Sequence, residues 1–258
     1  MPASPKTAPN LNKLLQQKNI RALIFDLDGV VTQTAKLHAA AWKKMFDEFL
    51  QNGIENGPKS QPPFSIQTDY PRYLDGISRL DGIRNFLLAR NLELPPGQPE
   101  DTFEKRSVWG LANYKNELYQ QLLQTQGVAI YPDTITWIKQ KRAENFRTAI
   151  ISASKNCLQV LQAAQIENLF DVRIDGNISQ ERNLKSKPEP DIFLEAAREL
   201  NISPTNCAVF EDARAGVQAG KAGNFGLVVG VNRKDASEAK ALLESGGGLV
   251  ITQFPGSQ

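Results

Sequence analysis

Acidic residues in pairs follow two short apolar stretches of the chain, and their spacing suits the binding of a cation. Asp26 and Asp28 come directly after one such stretch, and Glu211-Asp212 comes directly after another. Carboxylates two residues apart in an extended segment point to the same side, where they can hold a hard cation through oxygen ligands. Taken singly, the first pair is also compatible with a charged turn and the second with the cap of a helix. Ligands bind at the carboxyl ends of strands in parallel sheets, so two acidic strand ends together predict a magnesium site.

A hydroxyl group and a lysine occupy two further positions that suit a phosphoryl group. Ser152 follows the apolar stretch Thr148–Ile151, and the next residues open a predicted helix whose free backbone N–H groups favour an anion. Lys187 precedes another predicted helix and offers a positive charge. Each has a plain alternative, a helix cap for Ser152 and a solvated loop lysine for Lys187. Their joint order, acidic pair, hydroxyl, lysine and acidic pair, favours a site that binds a phosphoryl group.

Six short runs rich in β-branched or large aliphatic residues predict the strands that position these groups. Several are continuous rather than alternating, as in strands buried on both faces of a parallel sheet. Helical patterns lie between the later runs, and this alternation implies an α/β fold with a doubly wound sheet. The predicted strands are Ala22–Phe25, Thr148–Ile151, Val172–Ile174, Ala208–Phe210, Leu227–Val231 and Leu249–Ile251. The predicted helices between them are Asp133–Ala143, Asn156–Ala164, Pro190–Leu200 and Ala213–Ala222.

The long interval between the first and second predicted strands has no strong strand pattern and indicates a helical insertion. Apolar residues at helical spacing form one stripe of a helix over Leu37–Leu50. A Gly- and Pro-rich loop follows at Gly53–Pro63, and further helical stretches lie near Gly82–Arg90 and Asn113–Gln124. The sequence therefore predicts an all-helical unit inserted into the sheet domain.

Composition excludes several classes of function. The chain has 258 residues, and its 30 basic and 28 acidic residues give a net charge of +2 without a basic stripe, so no nucleic-acid partner is expected. No run of about 18 apolar residues predicts a membrane span. Residues 1–18 hold Pro, Lys, Asn and Gln without a continuous hydrophobic region, and predict a disordered tail rather than a signal peptide. Cys157 and Cys207 lie in apolar stretches, so we expect a reducing, cytoplasmic location.

The four groups in this order resemble the four motifs of the haloacid dehalogenase superfamily. The matching residues are Asp26-x-Asp28-Gly-Val-Val-Thr, Ser152, Lys187 and Glu211-Asp212. The resemblance implies a Rossmann-like core over residues 19–36 and 126–258 and an inserted helical cap over residues 37–125. It also implies a Mg²⁺ cofactor and an enzyme in which Asp26 attacks phosphorus and becomes an aspartyl phosphate.

The resemblance also assigns roles to the motif residues. Asp28 is expected to protonate the leaving oxygen and deprotonate the acceptor. Ser152 and Lys187 are expected to offset negative charge at the phosphoryl group and at Asp26. The expected metal ligands are Asp26, Asp28, Glu211 and Asp212, of which Asp28 is expected to bind through its backbone carbonyl.

Finer motifs are similar to the β-phosphoglucomutase subfamily. They are Phe-Asp-Leu-Asp-Gly-Val in the first motif, Ser-Ala-Ser-Lys-Asn at 152–156, Ser-Lys-Pro-x-Pro-Asp at 186–191 and Gly-Ile-Ser-Arg at 76–79. They imply a small phosphorylated sugar as substrate, and His38 as a bridge between Asp28 and the cap, although a packed structural histidine is the alternative. The implied substrate contacts are Thr34, His38, Trp42, Gly76, Arg79, Lys115, Asn116, Ala153, Lys155 and Asn156.

Two departures from the mutase pattern leave the substrate and the acceptor open. Gln33 replaces an acidic residue of the first motif, and Asp75 stands before Gly76 where the mutase has a lysine. The segment Tyr73–Gly82 is more similar to mutase-like proteins of disaccharide phosphorylase or trehalose metabolism. A negative Asp75 beside the loop is expected to weaken its grip on a phosphate. A hexose-phosphate mutase, a sugar-phosphate phosphatase and a non-catalytic sensor of phosphorylated metabolites therefore remain as hypotheses, for a monomer or weak dimer.

Overall fold

The computed structural model describes residues 10–51 and 61–256, and its centre is a six-stranded parallel sheet. Its strands are β1 (Ala22–Asp26), β2 (Arg147–Ile151), β3 (Val172–Ile174), β4 (Cys207–Glu211), β5 (Leu227–Val231) and β6 (Leu249–Ile251). In space the order is β3-β2-β1-β4-β5-β6, so that β1 lies between β2 and β4. The predicted α/β fold with a doubly wound sheet is confirmed.

Strand β1 is apolar from Ala22 to Phe25 because both of its faces are covered. Leu23 and Phe25 belong to one apolar core, and Ala22 and Ile24 belong to a second core on the other face of the sheet. Successive side chains of a strand point to opposite faces, so a doubly covered strand needs a continuous apolar run. The run ends at Asp26, the last residue of the strand, where the sheet meets its polar edge.

Helices account for most of the remaining regular structure in the described ranges. They are α1 (Leu11–Gln17), α2 (Ala35–Gln51), α3 (Asp69–Tyr73), α4 (Arg79–Ala89), α5 (Val108–Gln126), α6 (Pro132–Ala143), α7 (Cys157–Ala163), α8 (Gly176–Glu181), α9 (Asp191–Leu200), α10 (Arg214–Ala222) and α11 (Ala236–Glu244). None of these helices is both long and apolar enough to cross a lipid bilayer.

The prediction that residues 1–18 form a disordered tail is wrong for the part that the structure describes. Helix α1 covers Leu11–Gln17, and the side chain of Asn10 caps it by accepting a hydrogen bond from the backbone N–H of Lys13. Leu11 and Leu15, one helical turn apart, are both buried in the core. Two leucines are too short a pattern to detect in sequence, yet they are enough to dock one turn of helix. Residues 1–9 lie outside the described part of the chain.

Helices α2 to α5 stand between β1 and β2 and form the predicted helical insertion. Helix α5 packs against both α2 and α4, and an aromatic cluster of Phe46, Phe64 and Phe86 lies between these elements. Helix α2 begins at Ala35, two residues before the predicted boundary of the cap. Most of the predicted Gly- and Pro-rich loop lies outside the described residues. The division into a core domain and a cap domain stays a prediction.

Candidate active site

The carboxyl ends of β1, β2 and β4 meet at one edge of the sheet and bring the predicted motif residues together. Asp26 ends β1 and lies in register with Ile151, the last residue of β2, so that Ser152 follows directly beside it. Glu211 ends β4, the other neighbour of β1. All these polar side chains are buried. The sheet therefore places Ser152 and Glu211 beside Asp26, and Lys187 joins them from the segment before α9.

Lys187 links two of the buried carboxylates. Its Nζ donates to Asp26 Oδ1 at 2.6 Å and to Glu211 Oε2 at 3.1 Å. Burial alone would lower the pKa of Lys187, but the two carboxylates outweigh it and raise that pKa above its usual value. Burial raises the pKa of Asp26 to about 6, against the opposing effect of Lys187. The second oxygen of Asp26 accepts from the backbone N–H of Asp28 at 3.0 Å, so the carboxylate has a fixed orientation.

Three buried carboxylates form a group that fits a metal ion. One oxygen each of Asp26, Glu211 and Asp212 lies within 4.8 Å of the others. Burial, together with neighbouring carboxylates, raises the pKa of Glu211 and of Asp212 well above their usual values. Lys187 is the one lysine that pairs with this group in the ranges 10–51 and 61–256. Three carboxylates beside one lysine leave a surplus of negative charge that a divalent cation would offset.

Gly29 makes room for Asp212. Its φ is +86°, a left-handed conformation that L side chains rarely adopt. A Cβ atom added there would lie 2.0 Å from Asp212 Oδ2. The turn after β1 therefore needs a glycine for its backbone conformation and for the approach of the carboxylate.

Asp28 points away from the carboxylate group and contacts a different set of residues. Its carboxylate accepts hydrogen bonds from Thr34 Oγ1 and from Ser152 Oγ, the latter at 3.3 Å, and His38 Nε2 lies 3.4 Å from its Oδ1. Burial would raise the pKa of Asp28, but His38 and Thr34 outweigh it and lower that pKa to about 2. A side-chain bond from Asp28 to the metal does not fit this geometry, and binding through its carbonyl stays a prediction.

His38 joins Asp28 to the helical insertion. Lys115 Nζ lies 2.6 Å from His38 Nδ1, and the ring of Tyr119 stacks on the imidazole at 4.0 Å between centroids. With Lys115 donating, Nδ1 accepts and Nε2 carries the proton that faces Asp28. Burial, with Lys115 beside it, lowers the pKa of His38 and favours its neutral form. Tyr119 was not predicted, although it lies one helical turn after Lys115.

Two cations from the insertion stand without carboxylate partners within the described ranges. Arg79 Nη1 donates to the carbonyl oxygen of Ala112 at 2.8 Å, and burial lowers the pKa of Arg79 to about 10. Lys115 lies over the rings of Trp42 and Tyr119. Burial lowers the pKa of Lys115 well below its usual value, and the nearby Arg79 adds to this effect. The buried Lys115 and the half-buried Arg79, both without carboxylate partners, form a binding position for an anion.

A cavity of about 670 Å³ separates the carboxylate group from these cations. The predicted site residues that line it are Asp26, Asp28, His38, Trp42, Gly76, Arg79, Lys115, Asn116, Ala153, Lys155, Asn156, Lys187 and Asp212. Thr34, Ser152 and Glu211 lie behind this lining. Thr34 does not line the cavity and its hydroxyl donates to Asp28, so its contact with substrate stays a prediction. Trp109, Asn113, Gln180 and Asn183 also line the cavity and were not predicted.

The insertion closes onto the sheet domain through several polar contacts. Backbone N–H of Ser78 donates to Ser186 Oγ at 2.9 Å, and Asn156 Nδ2 donates to Asn116 Oδ1 at 2.9 Å. Asp75 does not approach Arg79 as an ion pair; its Oδ2 lies 3.3 Å from Lys234 Nζ. Lys155 Nζ donates to Gln180 Oε1 and lies 6.0 Å from the ring centroid of Trp109. These contacts fix the positions of side chains on both walls of the cavity.

Comparisons with known proteins agree with this architecture. A family model described as haloacid dehalogenase-like hydrolase matches residues 20–224. The chain is 40% identical over 238 residues to a β-phosphoglucomutase of Mycobacterium bovis, which covers 92% of this chain and 91% of that one. It is 28% identical to a phosphorylated carbohydrates phosphatase of Thermotoga maritima, covering 88% of this chain and 92% of the other. A crystal structure of β-phosphoglucomutase from Clostridium difficile superposes with a TM-score of 0.69 at 30% identity and covers 91% of each chain.

The matched region begins just before β1 and extends beyond α10, so it includes the acidic pair after β1, the Ser152 turn, Lys187 and the acidic pair after β4. It also includes the whole helical insertion. The chain therefore belongs to the haloacid dehalogenase-like hydrolase family of enzymes, among its β-phosphoglucomutase-like members.

Proposed function

We propose that this enzyme is a Mg²⁺-dependent hexose-phosphate mutase of the β-phosphoglucomutase type, which transfers a phosphoryl group through an aspartyl phosphate on Asp26. One observation carries the proposal. The same cavity has a buried nucleophile on one wall and the unpaired cations Arg79 and Lys115 on the other. A mutase needs both, because its bisphosphate intermediate presents one phosphate to the nucleophile while the other must be held.

Asp26 is prepared as a nucleophile by its two hydrogen bonds. Lys187 holds one oxygen and the backbone N–H of Asp28 holds the other, so the carboxylate is oriented before substrate arrives. In the first step a bond forms between an Asp26 oxygen and phosphorus while the bond from phosphorus to the sugar oxygen breaks. Lys187 keeps the carboxylate ionised despite its burial.

Asp28 serves the leaving group and the acceptor. Its low pKa keeps Asp28 ionised at rest, so it takes a proton from the acceptor hydroxyl in one half-reaction and returns that proton to the leaving sugar oxygen in the next. His38 and Thr34 hold its carboxylate beside Asp26. Ser152 also donates to Asp28, so its contribution is to orient this group, and a contact with the phosphoryl group stays a prediction.

Asp26, Glu211 and Asp212 are the residues that would hold Mg²⁺. When bound, the ion supplies charge that offsets the negative oxygens of the transferring phosphoryl group. In its absence the three carboxylates repel one another, which is consistent with the raised pKa values of Glu211 and Asp212.

The alternative is a sugar-phosphate phosphatase, in which water replaces the sugar as acceptor. The similarity to the phosphatase of Thermotoga maritima favours it, because the same core chemistry serves either acceptor. A non-catalytic sensor is disfavoured by the intact arrangement of Asp26, Lys187 and Asp28, which binding alone does not require.

One assay separates the two enzymatic hypotheses. β-Glucose 1-phosphate is supplied with Mg²⁺ and a trace of glucose 1,6-bisphosphate, while glucose 6-phosphate and free phosphate are both followed. A mutase forms glucose 6-phosphate with little phosphate, and its rate depends on the bisphosphate. Stoichiometric release of phosphate would instead identify a phosphatase. If neither glucose 6-phosphate nor phosphate formed, both hypotheses would be contradicted.

A further inference from the structure

A buried carboxylate of the insertion lies against the acidic edge of the sheet domain. Asp75 is 8% exposed and stands on the loop that leads from α3 to Arg79 at the start of α4. The loop touches the core closely here, since a Cβ atom added to Gly76 would lie 3.0 Å from that of Ala213. The carboxylate of Asp75 interacts repulsively with Asp212. Closure of the cavity therefore brings a fourth carboxylate towards the metal-binding group.

Lys234 supplies the counter-charge for Asp75 from the other side of the interface. Its Nζ lies 3.3 Å from Asp75 Oδ2, and it also interacts favourably with Asp212. Lys234 follows β5, in a turn where its backbone N–H donates to Asn232 Oδ1 at 2.9 Å and Asn232 Nδ2 donates to the carbonyl of Asp235 at 2.7 Å. This hydrogen-bonded turn therefore places the ammonium group of Lys234 at the same edge of the sheet as the active site.

The other acidic neighbour of Lys234 has a cation of its own. Glu238 accepts from both Arg214 Nε and Arg214 Nη2, at 3.3 and 3.2 Å. No other lysine or arginine in the described ranges forms an ion pair with Asp75. Removal of Lys234 therefore leaves Asp75 as a buried carboxylate that keeps a hydrogen bond with Tyr70 but has no ion-pair partner, which is more costly than the loss of an exposed ion pair.

We propose that Lys234 is a positioning residue for phosphoryl transfer: it neutralises Asp75 and so allows the loop that carries Arg79 to close on the core. Without metal, Lys234 counters repulsion from the core carboxylates. With metal bound, those charges are largely offset, and Lys234 then counters repulsion between Asp75 and the anionic substrate. Only the kinetic part of the proposal rests on the proposed function.

Closure is measured directly by the distance between two spin labels. Leu88 on α4 and Leu243 on α11 are 78% and 51% exposed, and both become cysteines for labelling. The native Cys157 and Cys207 are buried and do not compete for label. Pulsed electron spin resonance then compares four backgrounds without substrate: unchanged, Lys234→Met, Lys234→Met with Asp75→Asn, and Lys139→Met, which removes an exposed lysine from α6.

The expected result is a pattern of loss and rescue. Lys234→Met shifts the distribution to longer distances, Lys139→Met leaves it unchanged, and Asp75→Asn returns most of the Lys234→Met population to the original distance. Asn keeps the shape of Asp75 but no longer needs a counter-charge. An unchanged distribution in Lys234→Met overturns the proposal, as does a double variant that is no closer to the original than the single one.

Kinetics of the unlabelled variants provide the second readout. We expect Lys234→Met to raise KM for β-glucose 1-phosphate about tenfold, because the closed form that binds substrate is populated less. The double variant is expected within about threefold of the original protein. If the distances follow the expected pattern but no phosphoryl transfer is detected in any variant, the proposed function fails while the role of Lys234 in closure stands. If transfer is normal and Lys234→Met leaves both distance and KM unchanged, the role of Lys234 fails alone.

Discussion

The two walls of the cavity carry charges of opposite sign. The wall from the sheet domain carries Asp26, Glu211 and Asp212 around one lysine, a surplus of negative charge. The wall from the helical insertion carries Arg79 and Lys115, which have no carboxylate partner in the described ranges. Each wall is unfavourable alone, since buried like charges destabilise a protein.

The difference indicates which ligand charge belongs to which wall. A cation stabilises the carboxylate wall, and an anion stabilises the wall of the insertion. A substrate with two phosphates uses both, one with the metal and one with the two cations. The comparison therefore predicts that substitutions on the sheet wall abolish chemistry, whereas those on the other wall alter the choice of acceptor.

Removing the nucleophile is expected to have the largest effect. Asp26→Asn keeps the size of the side chain but removes the negative oxygen that attacks phosphorus. We expect turnover to fall by at least about three orders of magnitude, about 4 kcal/mol of transition-state stabilisation. Steady-state rates measure it, with Glu244→Gln on the exposed part of α11 as a control. Thermal unfolding should show a folded variant, because Lys187 keeps Glu211 as a partner. Turnover equal to that of the unchanged protein would exclude Asp26 as the nucleophile.

Removing the metal is expected to have the next largest effect. Chelation should lower turnover at least about a hundredfold, since the ion contributes several kcal/mol of charge stabilisation. Calcium should inhibit, because its looser coordination misplaces the attacking carboxylate.

Asp212→Asn tests the same wall by a measurement that is independent of turnover. Without metal it should raise the melting temperature by about 2–4 °C, because one repelling charge is removed. The further rise that Mg²⁺ gives the unchanged protein should be reduced or lost. A variant that is less stable without metal and equally stabilised by Mg²⁺ would contradict the carboxylate wall as a cation site.

The sheet wall was predictable from sequence because its residues follow strands. The carboxyl ends of parallel strands lie at one edge of the sheet. An apolar run followed by Asp26, Ser152 or Glu211 therefore predicts where that residue lies and which other residues lie beside it. The strands themselves were found within one residue at each end, since burial on both faces leaves a continuous apolar signal.

The other wall was less predictable because its contacts cross between distant helices. Arg79 and Lys115 were identified by resemblance, but nothing in their local sequence shows that they share a cavity. The pairing of Asp75 with Lys234 joins positions 159 residues apart and has no local signal. Short helices such as α3 and α8 were also missed, because five or six residues give too few turns for a periodic pattern.

Arg79 tests whether the wall of the insertion selects the acceptor. Arg79→Ala should lower mutase turnover about thirtyfold, the value of about 2 kcal/mol for a charged hydrogen-bonded contact with phosphate. Hydrolysis of a monophosphate should change by less than about threefold, because that reaction has no second phosphate to hold. Arg79→Lys keeps the charge but not the planar guanidinium. Its mutase turnover should lie between those of Arg79→Ala and the unchanged protein. Equal losses in both reactions would show that Arg79 acts on closure or folding rather than on the second phosphate.

On the wall of the insertion, Lys115 is expected to affect stability rather than turnover. Lys115→Met leaves an unbranched side chain between Trp42 and Tyr119 and removes a buried positive charge close to Arg79. Without ligand we expect the melting temperature to rise by about 2–4 °C, because the repulsion between Lys115 and the half-buried Arg79 is relieved. Inorganic phosphate should stabilise the unchanged protein more than the variant, since one of the two cations that bind it is lost. Lys44→Met on the exposed surface of α2 removes the same charge outside the cavity and should change neither value. The opposite result, a variant that is less stable alone yet stabilised equally by phosphate, would mean that His38 satisfies Lys115 within the protein. Arg79 would then be the only one of these two cations on the wall of the insertion that is available to bind an anion. The difference in charge between the two walls would be smaller.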